Sequence, residues 1–147
     1  MRCGFRNIRT NVWDATVLDP SMVEQADVVL ADLPCSGLGI IGKKPDIKER
    51  MTRDEIKNLA KLQREILSVV TQYVKPGGTL VYSTCTILDQ ENQATINAFL
   101  DRRPNYRLIS TRLDLPINGR KDYQFVKLYP DDFDSDGFFI CTLVRIK

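Results

Sequence analysis

Two cysteines that directly follow short apolar segments are the residues in this chain best suited to do chemistry. Cys35 ends the sequence DLPC, which begins at Asp32, and Cys85 lies in STCT, which begins at Ser83. A thiolate is a strong nucleophile near neutral pH, although a single free cysteine is more often a small buried side chain. Two cysteines at the ends of two predicted strands favour a shared site.

The other titratable residues limit the chemistry further. The 147 residues contain no histidine, which excludes a histidine-assisted triad and a histidine-bearing zinc site within this chain. Any reaction must therefore depend on Cys, Asp, Glu, Lys or Tyr, and we predict no metal.

The cysteine pattern also bears on the cellular compartment. The four cysteines lie far apart, with no C-x-x-C pair, and no signal peptide or long apolar stretch accompanies them. We expect free thiols in a reducing, cytoplasmic setting. The sequence spacing gives little support to a redox role for any pair of them.

Composition sets only broad limits on the class of protein. The chain is 43% hydrophobic and 27% charged with a net charge of +2, which predicts one ordinary globular domain. This charge is too small to identify a nucleic-acid-binding protein, because such binding depends on clustered charge. Composition leaves the partner open.

Hydrophobic periodicity predicts alternating strands and helices. A capping box at Thr52 and Glu55 marks the start of one helix, and the sequence KPGG from Lys75 marks its end. The full prediction is strand 8–14, a helix or turn at 20–26, strand 27–31, loop 36–51, helix 52–75, strand 79–83, helix 90–101 and strands 124–129 and 137–146. This order predicts an α/β fold with a mainly parallel sheet closed by an antiparallel edge. Ligands bind such sheets beyond the carboxyl ends of the strands, where both cysteines are expected.

Three ordered motifs make the chain similar to a known family. The sequences DLPCSGLG with KKPDIK, VKPGGTLVYSTCT with EN, and DGFFICTLVRIK resemble motifs of the S-adenosylmethionine-dependent RNA cytosine-C5 methyltransferases. The resemblance is greatest to the bacterial Sun or RsmB-like enzymes that act on small-subunit ribosomal RNA. It extends from about residue 5 to residue 147 and implies a Rossmann-like methyltransferase sheet.

The resemblance implies a role for each candidate catalytic residue. Cys85 matches the thiol that attacks C6 of the target cytosine, and Cys35 matches the thiol linked to product release. Covalent attack is needed because C5 is a weak nucleophile until a bond at C6 converts the ring to an enamine. Asp32 matches a carboxylate beside both cofactor and base, and either Asp32 or Cys35 is left as the group that assists removal of the C5 proton. DNA cytosine-C5 methyltransferases use the cysteine of the PC motif as nucleophile, so the opposite assignment of the thiols also stays open.

The cofactor and RNA contacts are likewise implied by the resemblance. Asp14, Asp32 and Pro34 match cofactor-binding positions for S-adenosylmethionine, although an aspartate at position 14 is also typical of a turn. Lys43, Lys44 and Lys48 lie in the loop after Cys35, where they would contact phosphates of ribosomal RNA. A solvated surface loop explains these lysines about equally well.

One departure from the family pattern affects the expected activity. No glycine-rich cofactor loop precedes Asp14, so the chain resembles an N-terminally truncated methyltransferase domain over residues 1–147. We therefore expect the isolated chain to bind S-adenosylmethionine poorly and to be inactive. The segment 8–14 would then be displaced, disordered or paired with another chain, and the exposed sheet edge would favour self-association. A non-catalytic RNA-binding remnant of such an enzyme is the alternative function.

Overall fold

The computed structural model describes residues 4–117 and 120–146, without the side chains of 112–122. The strands are β1 Ala26–Asp32, β2 Val74–Thr84, β3 Tyr106–Ile109, β4 Thr111–Ile117, β5 Arg120–Tyr123, β6 Val126–Leu128 and β7 Phe138–Arg145. The α-helices are α1 Ile47–Arg50, α2 Arg53–Val70 and α3 Gln93–Leu100. Single 3-10 turns occur at Pro20–Met22, Leu38–Ile40 and Thr71–Tyr73.

The main sheet has the strand order β1-β2-β7-β3, and β6 also pairs with β7. β1 and β2 are parallel, whereas β7 is antiparallel to β2, β3 and β6. β1, β2, β3 and β6 therefore run in one direction. The predicted α/β class, a mainly parallel methyltransferase-like sheet with an antiparallel C-terminal strand pair, is confirmed.

The position of the antiparallel strand differs from the prediction. β7 lies between β2 and β3 and not at the edge of the sheet, because β3 covers its far side together with β6. Sequence patterning missed β3, and it also missed β4 and β5, which form a separate two-stranded sheet. Arginine, aspartate and proline interrupt the apolar alternation of these segments, so their sequences do not stand out as strands.

Helix α2 begins as its sequence predicts and ends earlier. The Thr52 hydroxyl accepts a hydrogen bond from the Glu55 backbone, and the Glu55 carboxylate accepts one from the Thr52 backbone. The predicted end at residues 75–78 is wrong, because α2 stops at Val70 and residues 74–78 belong to β2. A bulge accommodates them opposite β1, with Gly77 at a φ of +80° that favours glycine.

Smaller differences affect the connections. The predicted helix at 90–101 begins at Gln93, and the predicted loop 36–51 contains one 3-10 turn and the short helix α1. The strands predicted at 27–31, 79–83, 124–129 and 137–146 are confirmed, with shifted ends.

The hydrophobic core joins the sheet to the apolar stripes of α2 and α3. An apolar stripe with helical period must cover another apolar surface to leave water, which explains why α2 packs on α3 and against β1. The fully buried residues of the core include Leu67 of α2, Ile96 of α3, and Leu80, Tyr82, Phe139 and Leu143 of the central strands. The core therefore holds the central strands in place and fixes the positions at which they end.

The N-terminal segment does not form the strand predicted at 8–14. A strand needs a paired neighbour, and within the described residues the only pairing of β1 is with β2. Val28 and Leu30 on β1 are 62% and 69% exposed, so one face of this edge strand is uncovered. The strand predicted at 8–14 is therefore wrong, while displacement of this segment, its pairing with another chain and self-association through this edge stay predictions. Over the described residues, no helix has the length and apolar character needed to cross a membrane.

Candidate active site

The parallel pairing of β1 and β2 places their carboxyl ends side by side. Asp32 at the end of β1 is in register with Ser83 near the end of β2, and the Leu33 N–H donates a hydrogen bond to the Ser83 carbonyl at 3.1 Å. The two loops that leave these strands consequently begin at the same point. Their cysteines meet there, with the Sγ atoms of Cys35 and Cys85 3.2 Å apart.

The surroundings of Cys35 disfavour ionisation of its thiol. Burial, and after it the contact with the Cys85 sulfur, raises the pKa of Cys35 from its ordinary 9.0 to about 12. A hydrogen bond from the Gly37 N–H opposes this shift only in part. Cys35 therefore keeps its proton at neutral pH, and its sulfur lies within hydrogen-bond distance of the Cys85 sulfur, where either thiol can donate.

Asp32 is exposed beside the thiols and is anchored to the same strand end as Cys85. One carboxylate oxygen accepts a hydrogen bond from the Ser83 hydroxyl at 2.9 Å. Its other oxygen has no hydrogen-bond partner among the described residues, which leaves it available to a ligand. Pro34 is exposed between Asp32 and Cys35, and its carbonyl accepts a hydrogen bond from the Gln63 side chain at 2.9 Å.

Gly39 locks the loop after Cys35 onto the loop that carries Cys85. Its N–H donates to the Cys85 carbonyl at 3.0 Å, and its carbonyl accepts from the Gly137 N–H at 2.7 Å. A Cβ at this position would lie 2.2 Å from the Gly137 carbonyl oxygen and 2.8 Å from that of Cys85. Only glycine permits this close backbone approach.

A buried polar cluster behind the thiols was not among the predicted site residues. Glu91 is fully buried and accepts hydrogen bonds from Ser36 and Thr86, the residues that follow the two cysteines. Gln63 of α2 also donates to Glu91, at 3.0 Å. The only sequence signal for this cluster is the position of Glu91 between β2 and α3. A glutamate is usually exposed, so the residue type does not indicate that this one is buried.

The three lysines assigned to RNA lie exposed in the loop 36–51, and no described contact links them to the thiols. Lys43 forms an ion pair with Asp136 at 2.7 Å, which offsets part of its charge. Neither Lys44 nor Lys48 forms an ion pair within the described part of the chain. Lys44 and Lys48 therefore keep a positive charge that no carboxylate of the described residues neutralises.

Asp14 occupies an exposed turn and not the thiol site. Its carboxylate accepts hydrogen bonds from the backbone and hydroxyl of Thr16, which lower the pKa of Asp14. A nearby open cleft of about 450 Å³ is lined by Asn11, Val12, Trp13, Asp19, Met22 and Tyr73. Neither Asp14 nor Asp32 lines this cleft, so these residues do not by themselves form a complete site for S-adenosylmethionine.

Comparisons with known proteins agree with this fold. A "Probable ribosomal RNA small subunit methyltransferase B" of Bacillus subtilis is 42% identical over 147 residues, covering 97% of this chain and 33% of the relative. A "Ribosomal RNA small subunit methyltransferase B" of Salmonella arizonae is 44% identical over 122 residues, covering 83% of this chain and 27% of the relative. The crystal structure of NSun6 from Pyrococcus horikoshii with SFG, an S-adenosylmethionine analogue, has a TM-score of 0.78 and 28% identity, covering 99% of this chain and 36% of that one.

The sheet order and this structural neighbour define an α/β methyltransferase fold. The model of the family 16S rRNA methyltransferase RsmB/F matches residues 1–144, and the chain belongs to this family. The resemblance stated from the sequence motifs is thereby confirmed. The chain spans about a quarter to a third of the length of the curated relatives that it matches.

Proposed function

We propose that this chain carries the catalytic thiols of an S-adenosylmethionine-dependent methyltransferase that modifies C5 of a cytosine in small-subunit ribosomal RNA. Membership of the family supports methylation of small-subunit ribosomal RNA as the general activity. The observation that carries the finer proposal is the 3.2 Å separation of the Cys35 and Cys85 sulfurs at the end of a parallel strand pair. Two thiols in contact match a reaction that both forms and releases a carbon–sulfur bond.

In the proposed reaction, the sulfur of Cys85 adds to C6 of the cytosine. The electrons of the C5–C6 double bond then make C5 nucleophilic, and C5 would take the methyl group of S-adenosylmethionine as the sulfur–methyl bond breaks and S-adenosylhomocysteine leaves. Loss of the C5 proton restores the double bond while the C6–S bond breaks, and the thiolate of Cys85 is regenerated. The base must leave its stack to reach the sulfur, which costs least in single-stranded or looped RNA.

The raised pKa of Cys35 argues against Cys35 as the nucleophile, and the motif resemblance assigns that role to Cys85. With its pKa raised to about 12, Cys35 presents almost no thiolate at neutral pH. In the proposed reaction the S–H of Cys35 donates a hydrogen bond to the Cys85 sulfur 3.2 Å away, which would favour departure of that sulfur from C6. This argues against the opposite assignment of the two thiols.

Asp32 recognises the cytosine and accepts the C5 proton in the proposed reaction. Its carboxylate oxygen without a described partner is available to the exocyclic amine of cytosine, which distinguishes cytosine from uracil. Because Cys35 holds its own proton, Asp32 is also the better acceptor for the C5 proton.

The setting that we propose is the reducing cytoplasm, where both thiols stay free.

A chimaera tests whether this chain supports catalysis. The segment of the Bacillus subtilis relative that matches this chain is replaced by residues 1–147, and methyl incorporation into small-subunit ribosomal RNA is measured. We expect incorporation by the chimaera, loss of turnover in Cys85→Ala, and retained turnover in the control Cys141→Ala, whose thiol is buried in the core.

The incomplete cofactor site favours one alternative function, a non-catalytic RNA-binding remnant. A folded chimaera that binds the RNA but transfers no methyl group would support this alternative. Equal turnover with and without the Cys85 thiol would contradict the proposed covalent mechanism.

A further inference from the structure

Glu91 is a fully buried carboxylate that no lysine or arginine neutralises within the described residues. Burial of a charge is costly unless hydrogen bonds replace the lost water. A buried carboxylate therefore needs hydrogen-bond donors in place of water. The positions of those donors show which parts of the chain the carboxylate holds together.

The donors to Glu91 come from the loops that carry the two thiols. Oε1 accepts from the Ser36 N–H at 2.8 Å, and Oε2 accepts from the Ser36 hydroxyl at 2.5 Å and from the Thr86 hydroxyl at 3.0 Å. The Ser36 and Thr86 hydroxyl oxygens also lie 2.9 Å apart. Since Ser36 follows Cys35 and Thr86 follows Cys85, one carboxylate bridges the two cysteine loops directly behind the sulfurs.

Further hydrogen bonds keep the bridge itself from moving. Gln63 of α2 donates to Oε1 of Glu91 at 3.0 Å and also to the Pro34 carbonyl. The Tyr82 hydroxyl donates to the Glu91 carbonyl at 2.5 Å. The bridge is therefore connected to the helix and to the central strand, both of which belong to the core.

We propose that Glu91 is a positioning residue that sets the separation of the Cys35 and Cys85 sulfurs. An ionised carboxylate accepts at both oxygens and so satisfies both loops at once, which a neutral amide cannot do. The use of this separation in catalysis rests on the proposed function. The positioning itself depends only on the contacts of Glu91.

Oxidative cross-linking measures the sulfur separation without RNA or a methyl donor. With diamide as oxidant, the two thiols lose two protons and two electrons to form a disulfide, and the diazene is reduced to the hydrazine. The initial rate of the Cys35–Cys85 cross-link is followed by mass spectrometry of tryptic peptides from the reduced, folded chain. Because the assay needs neither RNA nor a methyl donor, it tests the positioning role of Glu91 separately from the proposed methyltransferase activity.

The decisive variant is Glu91→Gln, which keeps the shape and removes one acceptor. The matched control is Tyr106→Phe, which removes a buried 2.7 Å hydrogen bond to the Thr71 carbonyl far along the chain from both thiols. We expect cross-linking about tenfold slower in Glu91→Gln, the factor expected when a charged hydrogen bond is lost, with the wild-type rate in Tyr106→Phe. Equal rates in wild type and Glu91→Gln, or equal slowing in both variants, would overturn the proposal.

Thr86 provides a second test that applies even if Glu91→Gln fails to fold. Thr86→Val removes one hydroxyl of the bridge with little change of shape, and Thr86→Ser restores the hydroxyl. We expect slower cross-linking in Thr86→Val and recovery in Thr86→Ser, after circular dichroism has shown that both are folded. A wild-type rate in Thr86→Val would contradict the positioning role.

Discussion

The sulfur atoms of Cys35 and Cys85 lie 3.2 Å apart although 50 positions separate the two residues in the sequence. Parallel strand pairing produces this contact, because the register of Asp32 with Ser83 makes both loops leave the sheet together. Gly39 then holds one loop against the Cys85 carbonyl. The contact is thus a product of backbone topology, and burial raises the pKa of Cys35 within it.

Alkylation should distinguish the two thiols in the folded chain. A pKa of about 12 leaves Cys35 with about a thousandfold less thiolate at neutral pH than an unperturbed cysteine, and iodoacetamide reacts with the thiolate. We expect initial modification at Cys85 at least about tenfold faster than at Cys35, measured by peptide mass spectrometry. After unfolding in urea the difference should disappear. Faster initial modification of Cys35 in the folded chain would contradict the assignment of the nucleophile.

Replacing Gly39 with alanine should destabilise the site, whereas the same change at Gly42 should not. A Cβ at Gly39 would overlap the Gly137 carbonyl oxygen, but a Cβ at Gly42 meets no atom within 4 Å. We expect Gly39→Ala to lower the free energy of unfolding in urea by about 1–3 kcal/mol and Gly42→Ala to change it by less than about 0.5 kcal/mol. Similar values for the two variants would show that the close approach is unimportant.

Stability should fall at alkaline pH. Burial raises the pKa of Cys35 and of Tyr106 to about 12, and it also raises the pKa of Cys141 and Tyr82. The unfolded chain releases these protons at lower pH than the folded chain, so the stabilisation is complete below about pH 9 and is lost as pH rises toward 12. Urea unfolding midpoints should therefore be constant from about pH 7 to 8.5 and should decrease above pH 9. A midpoint that stays constant to about pH 11 would contradict the burial of these groups.

The lysines of the loop 36–51 should contribute unequally to RNA binding. Lys43 is paired with Asp136, whereas Lys44 and Lys48 form no ion pair within the described residues. We expect Lys44→Ala and Lys48→Ala each to reduce the slope of log affinity against log salt by about 0.7 for single-stranded RNA, with a smaller effect of Lys43→Ala. Fluorescence anisotropy of a labelled cytosine-containing RNA measures the slopes. Equal slopes for all three variants and the wild type would indicate a solvated loop without an RNA contact.

The sequence predicts the strands that carry the site because their apolar runs and flanking turns are local signals. The runs before Asp32 and Ser83 predicted most of β1 and the C-terminal half of β2, and the capping box predicted the start of α2. β3, β4 and β5 lack a continuous apolar pattern and were missed. The segment 8–14 has the pattern of a strand but pairs with no strand among the described residues, and strand formation depends on a partner as well as on propensity.

At the site, too, local sequence predicts the residues within a motif but not the side chains that distant parts of the chain bring beside them. Motif similarity places Cys35, Cys85 and Asp32 together, and the structure brings these three to one strand end. The role of Glu91 depends on donors from Ser36, Gln63 and Thr86, which are far apart in the chain, so the cluster is not visible in local sequence. The expected weak binding of S-adenosylmethionine stays a prediction.

The central claim is that Cys85 forms the covalent bond to the base. The most direct measurement uses the chimaera with S-adenosylmethionine and an RNA that contains 5-fluorocytosine, in which fluorine at C5 blocks the elimination step. We expect a denaturation-resistant RNA adduct on the peptide that contains Cys85, present in Cys35→Ala and absent in Cys85→Ala. An adduct on Cys35, or one that persists in Cys85→Ala, would contradict it.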